Sequence, residues 1–177
     1  MELFWLKGYS NTSLEELVSR TGASRYGLYA TFRDKHDLFM QALNHYSRRT
    51  VDPTIGGLDH PQASSTEIRA FFDRVFQLIR PPKGRRGCLL CNTGVELGPF
   101  DAAAAKEVRR FFRRLRRLFG LALANARRDG TLARGTNVRA YADSLVGAVA
   151  GTFLLARSGM PMKMIRRYVD TSLRSLR

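Results

Sequence analysis

The chain is short of the residues that build most functional sites. It has two cysteines and three histidines in 177 residues. No disulfide scaffold is expected, and Cys88 and Cys91 with only His36, His45 and His60 elsewhere give no zinc-ligand spacing. Acidic residues are also scarce, 15 against 30 lysines and arginines. There is no Gly-rich phosphate loop, no histidine beside an obvious nucleophile and no carboxylate pair set for acid–base work. An enzyme is therefore not expected, nor any cofactor or metal. The longest apolar run, Leu145 to Ala156, is too short for a bilayer, which takes about 20 residues. No signal peptide precedes the first helix, so a cytoplasmic protein without a membrane partner is expected. Sustained alternation of period two is missing as well, which excludes a strand-built fold.

What is present is apolar content of 44%, enough for a real core, and a net charge of +15 that suits a polyanionic partner. The charge is unevenly placed. Residues 1–50 carry seven Lys or Arg against five Asp or Glu, a net of +2, and the other +13 lies beyond residue 50. Bulk charge thus supports nucleic-acid binding only loosely, and a local motif must carry the argument.

That motif is residues 12–39, TSLEELVSRTGASRYGLYATFRDKHDLF. Thr12 and Glu15 stand at capping-box spacing, and Leu14, Leu17 and Val18 form one apolar stripe. Gly22 tolerates the positive φ of a tight turn, and Ser24 suits the N-cap of a second helix, Arg25 to about Phe32. Leu28 and Phe32 face inward in that helix, leaving Arg25, Tyr26, Gly27, Ala30 and Thr31 outside. Asp34 and Asp37 start a third helix, with Leu38, Phe39, Ala42, Leu43 and Tyr46 on its buried side. Two short helices across a glycine turn form a helix-turn-helix, whose second helix enters a DNA major groove. Arg25 suits a guanine edge, Tyr26 a base or phosphate, and Lys35 a phosphate.

The run from Gly8 to Phe39 resembles the DNA-binding domain of TetR-family transcriptional regulators. The resemblance rests on Gly8-Tyr9, Thr12, Gly22-Ala23-Ser24, Leu28-Tyr29, Phe32, Lys35 and Leu38-Phe39. It implies phosphate contacts from Tyr29 and Lys35 and base reading by Arg25, Tyr26 and their neighbours. Thr12, Ser24, Gly27, Ala30 and Thr31 complete the expected DNA-binding set. The family's first helix normally begins about ten residues earlier than Met1, so the first helix is read as shortened at its start.

Downstream, residues 50–65 are rich in turn formers and read as a linker. Thr66 is placed as the cap of a helix to about Ile79, and Pro81 to Gly87 as its break. Cys88 to Leu97 suits a short helix, although Leu89, Leu90 and Val95 would also suit a buried strand. Long helices follow over about 101–127 and 137–158, and Pro161 opens a last one over 161–176. The fold class is all-α. A three-helix helix-turn-helix DNA-binding domain spans 1–47, and a helical effector-binding and dimerisation domain spans 48–177.

The resemblance further implies a homodimer through helices 137–158 and 161–176, a palindromic double-stranded DNA operator and a small-molecule effector. The small residues Ala142, Gly147, Ala148, Ala150 and Gly151 add their own sign of close helix approach. Phe72, Phe76, Ile79, Cys88, Asn92, Val95, Phe112, Leu115, Phe119, Tyr141 and Leu145 are candidate pocket residues; each also suits plain core filling. Asn92, Glu96 or Tyr141 would orient a mostly apolar effector. Cys88, after Arg85 and Arg86 at a helix start, fits a reactive thiol as well as a small buried hydrophobe. The arginine-rich stretch 106–117 reads as a solvated face. The leading expectation is a ligand-released repressor. A thiol-sensing repressor using Cys88 and a helical interaction protein with an impaired reading head are the alternatives.

Overall fold

The computed structural model describes residues 1–80 and 86–176, and their regular elements are helical apart from an isolated antiparallel bridge between Leu132 and Leu176. The expected helix break over Pro81–Arg85, and the field of Arg85 at Cys88, lie outside the described residues.

The N-terminal head comprises α1 (Glu2–Lys7), α2 (Leu14–Thr21), α3 (Arg25–Thr31) and the start of α4 (Lys35–Tyr46). Phe4, Leu17, Leu28, Phe39 and Leu43 are buried in it, with the Phe4 ring edge-on to Phe39 at 5.1 Å. The α2 capping box falls one residue later than expected. Ser13 accepts from the Glu16 amide at 3.2 Å and Glu16 accepts from the Ser13 amide at 3.0 Å. Thr12 is taken up elsewhere: it is fully buried and its hydroxyl donates to the Gly8 carbonyl at 2.6 Å. Gly22 ends α2 at φ +69°, as the turn requires. Asp34 starts α4 by accepting from the Asp37 amide at 2.7 Å.

The first part of the expected linker, residues 50–59, is helical, and residues 60–64 are turn and coil. From α4 the chain runs through a π-helical stretch (Ser47–Val51) into α5 (Asp52–Ile55) and a 3-10 turn (Gly56–Asp59). Val51, Ile55 and Leu58, three or four apart, are buried against the second domain, and Pro53 sits in the first turn of α5. A boundary at 47/48 therefore falls within continuous helical chain.

The second domain holds α6 (Ser65–Leu78), α7 (Leu89–Glu96), α8 (Ala102–Arg128), α9 (Val138–Arg157) and α10 (Met162–Ser172). Ser64, not Thr66, caps α6 in a box with Glu67. Helix α8 is the spine, packing on α6, α7 and α9, while α10 lies on α9. Its inward stripe includes Val108, Phe111, Leu115, Leu118, Phe119 and Ala122. Phe119 stacks over Phe72 at 6.2 Å and meets Phe71 edge-on at 5.4 Å. The outer face of α8 is less free than its charge suggests. Arg110 pairs with Glu107, Arg116 with Asp143, and Arg114 with both Asp52 and Asp59, fastening α8 to the α5 segment. By length and composition alone α9 could cross a bilayer, with a window of mean hydropathy 1.2; here one flank packs against α8 and α10.

Candidate nucleic-acid interface and buried cavity

Helix α3 stands on the surface with its base-reading candidates outward. The Ser24 hydroxyl accepts from the Gly27 amide at 2.9 Å and so fixes where the helix begins. Tyr26 is 85% exposed and Tyr29 47%, and Arg25, Ala30 and Thr31 are exposed as well, while Leu28 anchors the inner face. Arg25 is steadied from α2, donating to the Glu15 carboxylate at 2.8 Å. Lys35 projects from the first turn of α4 with its ammonium 4.5 Å from the centre of the Tyr9 ring. Eight of the nine expected DNA-binding residues thus share or border one open surface. Thr12 is the exception; a side chain with no exposed area cannot touch a phosphate.

Three side chains of the second domain grip the head. Glu96 accepts from the Tyr9 and Ser10 amides. Asp101, the N-cap of α8, lies 2.6 Å from His36 Nε2 on α4. Its carboxyl is held below the usual carboxylate value chiefly by the Ala104 amide, with His36 adding to it, against the opposing effect of burial. Arg157, closing α9, donates to the Arg86 carbonyl at 2.8 Å and reaches the Trp5 and Leu6 carbonyls at 3.4 Å. Trp5 completes this corner by donating its indole N–H to the Gly87 carbonyl at 3.0 Å.

A narrow cavity of about 20 Å³ lies behind these contacts, room for one or two water-sized molecules. Tyr46, Thr50, Val51, Thr54 and Ile55 from the α4–α5 segment form one wall. Phe71, Leu78, Cys88, Phe111, Val149 and Phe153 close the rest. Val51 and Phe111 also line an open groove of about 430 Å³ beside Asn44, Arg48 and Arg110.

Of the eleven residues expected in a pocket, only Cys88 lines this cavity. Phe72, Ile79, Leu115, Phe119 and Leu145 are closed into the core, and Phe76 lies under the Arg166 guanidinium. Phe112 is half-buried and packs beside Phe111. Val95 is 81% exposed on α7 and is not part of this cavity's lining. The polar groups expected to orient an effector are engaged otherwise. Asn92 donates to the Arg86 carbonyl at 2.8 Å, Tyr141 to the Ser172 carbonyl at 2.7 Å, and Glu96 holds the head.

Cys88 is the N-cap of α7 and is fully buried. Burial alone would push its thiol up. Hydrogen bonds from the Cys91 thiol and amide, the Tyr46 hydroxyl and the Leu90 amide instead bring it down to about 7. Cys91 goes the other way, pushed well up by its bond to Cys88 and by burial.

Residues 1–42 match the family model for bacterial regulatory proteins of the tetR family, and residues 65–170 match the tetracyclin repressor-like C-terminal domain. The chain belongs to the TetR family. It is a DNA-binding transcriptional regulator of that family. Over 174 residues it is 29% identical to the uncharacterized HTH-type transcriptional regulator YezE of Bacillus subtilis, covering 98% of this chain and 90% of that one. It is 26% identical to the HTH-type transcriptional repressor ComR of Escherichia coli, covering 98% and 83%. Among solved structures, a cysteine-substituted form of the TetR-family regulator CifR in complex with 26-base-pair operator DNA superposes with a TM-score of 0.84. The two are 24% identical, with 98% and 91% of the chains covered.

Within this TetR-family frame, sequence reasoning missed the residues that join head to body. Trp5 and Arg157 are 152 positions apart and His36 and Asp101 are 65, so no local spacing announces either contact. The cavity wall on α4 and α5 was missed for another reason, because its residues were read as a helix end and a linker.

Proposed function

We propose that the protein is a cytoplasmic repressor that binds a palindromic operator as a homodimer and releases it when a small, mostly apolar effector enters the second domain. The observation that carries the reading is the outward surface of α3, a capped helix whose exposed polar and aromatic side chains are engaged, among the described residues, only in the Glu15–Arg25 pair and the bond from the Thr31 hydroxyl to the Gly27 carbonyl. Arg25 and Tyr26 read bases, the small Gly27 and Ala30 allow close approach, and Ser24, Tyr29, Thr31 and Lys35 hold phosphates. ComR, described as a repressor, and CifR, solved on operator DNA, support the direction.

Two copies would meet through α9 and α10. Gly151 has Tyr168 of α10 packed on it, whereas nothing lies within 4 Å of where a side chain on Gly147 would start, and Leu154 is 62% exposed. That open apolar flank is what a second subunit would cover.

Ligand sites usually need about 300–1,000 Å³. An effector would therefore part Val51 from Phe111 and join the cavity to the adjoining groove. Tyr46 of α4 and four wall residues of the segment that continues it form one side, so filling the cavity pushes on the helix that enters the head. The two recognition helices would then leave the spacing of one DNA turn, about 34–36 Å.

The test is a fluorescence titration of duplex DNA from upstream of the protein's own gene, against random duplex, at several salt concentrations. A repressor binds the former more tightly and loses affinity steeply with salt. Equal, salt-insensitive binding to both would end the proposal.

A further inference from the structure

Helix α8 carries eight arginines and one lysine against a single glutamate, Glu107. Its outward side has two edges and a crest. Arg116 marks one edge, paired with Asp143 of α9, and Arg114 marks the other, paired with Asp52 and Asp59. Between them Lys106, Arg109, Arg110, Arg113 and Arg117 are exposed, and their spacing puts them on one face of the helix. Glu107 pairs with Arg110, and Asp59 lies 3.6 Å from Arg117. Lys106, Arg109 and Arg113 have no ion-pair partner among the described residues. Nor has Arg139, which faces Arg113 and Arg117 across an open groove between α8 and α9.

Like charges three and four apart repel, so this crest costs the helix stability. A face that needs only solubility is served by mixed signs, and by lysine as well as by arginine. Guanidinium groups instead match phosphate, through a planar fork that donates two parallel bonds. A lipid surface is the poorer match. Helices that lie in a lipid interface set aromatic or aliphatic side chains beside their cations. On α8 the one large exposed apolar side chain among the described residues is Leu121. A duplex seated under α3 would be out of reach of most of this crest. Asp101 opens α8 beside His36 at the start of α4, and Arg114 farther on meets Asp52 beyond the end of α4. Helix α8 therefore runs alongside α4 and away from Lys35. The crest from Lys106 to Arg117 spans about 17 Å.

We propose that this crest is a second, sequence-independent surface for duplex DNA, by which a protein seated on one duplex through α3 holds a neighbouring duplex with its body. The seat on the first duplex rests on the DNA-reading proposal above; the second surface does not. Lys106, Arg109 and Arg113 face the phosphates, and Arg139 adds a fourth cation from across the groove. The attraction has no base preference and weakens as salt rises, because its gain is the release of counterions from the duplex. It also gives the uneven charge of the chain a use, since +13 of the net +15 lies beyond residue 50, outside the head.

The experiment uses the full-length protein. A biotinylated duplex from upstream of its own gene is fixed on beads and loaded with protein, and a fluorescent duplex of random sequence is then offered. Loaded beads should capture the second duplex at low salt and release it steeply as salt rises. Lys106→Gln, Arg109→Gln and Arg113→Gln together should leave loading unchanged and cut capture about tenfold or more. Their urea midpoint should hold or rise as repulsion is relieved. Arg113→Gln alone should lower the salt slope of capture by about one, which keeps the test open should the triple variant misfold. Capture equal in parent and variants overturns the proposal. A second duplex that is never captured overturns it too, and binding of the loaded protein to anionic phospholipid vesicles would then make the crest a lipid surface. Beads that load no more protein than beads carrying random duplex overturn the repressor reading, and capture on either bead still decides the crest.

Discussion

Glu96, the last residue of α7, accepts a hydrogen bond from the backbone amide of Ser10 at 2.7 Å, and its second oxygen accepts from Tyr9 at 3.0 Å. The turn between α1 and α2 therefore takes its two free amides' partner from the other domain. Gly8 makes this possible. It adopts φ +86°, and a Cβ there would stand 2.5 Å from Glu96 Oε2.

Glu96→Ala should destabilise the protein by about 1–2 kcal/mol through the loss of two charge-assisted bonds at a partly buried site. It should also loosen the head, measured as faster hydrogen exchange at Tyr9 and Ser10. Unchanged exchange at those amides would show that the turn does not depend on this carboxylate.

Phe119→Ala removes a ring packed between Phe71 and Phe72 in the centre of the second domain. The expected cost is about 3–5 kcal/mol, lowering the urea midpoint sharply. A loss under about 1 kcal/mol would mean that the neighbouring rings collapse into the space.

Asp101 gives a pH signature. Its folded carboxyl is held below its unfolded value, so its stabilisation is present at neutral pH and is lost as pH falls through the folded value. Asp101→Asn keeps a capping side chain and removes the charge. Wild type should exceed it in urea midpoint at neutral pH, with the gap closing in acid below about pH 4. A gap that stays constant across that range would assign the difference to shape rather than charge.

On DNA, Lys35→Ala should weaken binding to every duplex and reduce the salt slope by about one. Arg25→Ala should also relax preference among bases. Equal losses on specific and random duplex for Arg25→Ala would remove it from the reading surface.

Gly147→Arg places a charged side chain on the open flank of α9, where nothing among the described residues lies within 4 Å of the Cβ position. If the proposed dimer forms through this flank, sedimentation should show it replaced by monomer with the helical circular dichroism retained. A variant that sediments as the parent does would move the interface elsewhere.

The head was legible in the sequence because its signals are local. Caps, a turn glycine and apolar spacing lie within a few residues of the structure they specify, as Asp34 with Asp37 and Ser24 with Gly27 illustrate. The one-residue slip at Thr12 arose because two hydroxyls stand side by side, and packing against Gly8 decides between them. The stretch 50–65 misled because prolines, glycines and aspartates dominate it, while burial of Val51, Ile55 and Leu58 depends on distant α6 and α8. The cavity was illegible because aromatic residues filling core and those facing a void repeat with the same helical period. Phe111 lines the void and Phe119, two turns on, does not.

Arg157 ends the helix that would face a second subunit, and the same guanidinium holds the carbonyls of α1. Rotation of one α9 against its proposed counterpart would thereby reach the head through Arg157 as well as through Val149 and Phe153 of the cavity wall. A mutation in that proposed seam would then alter gene control without touching either DNA or effector.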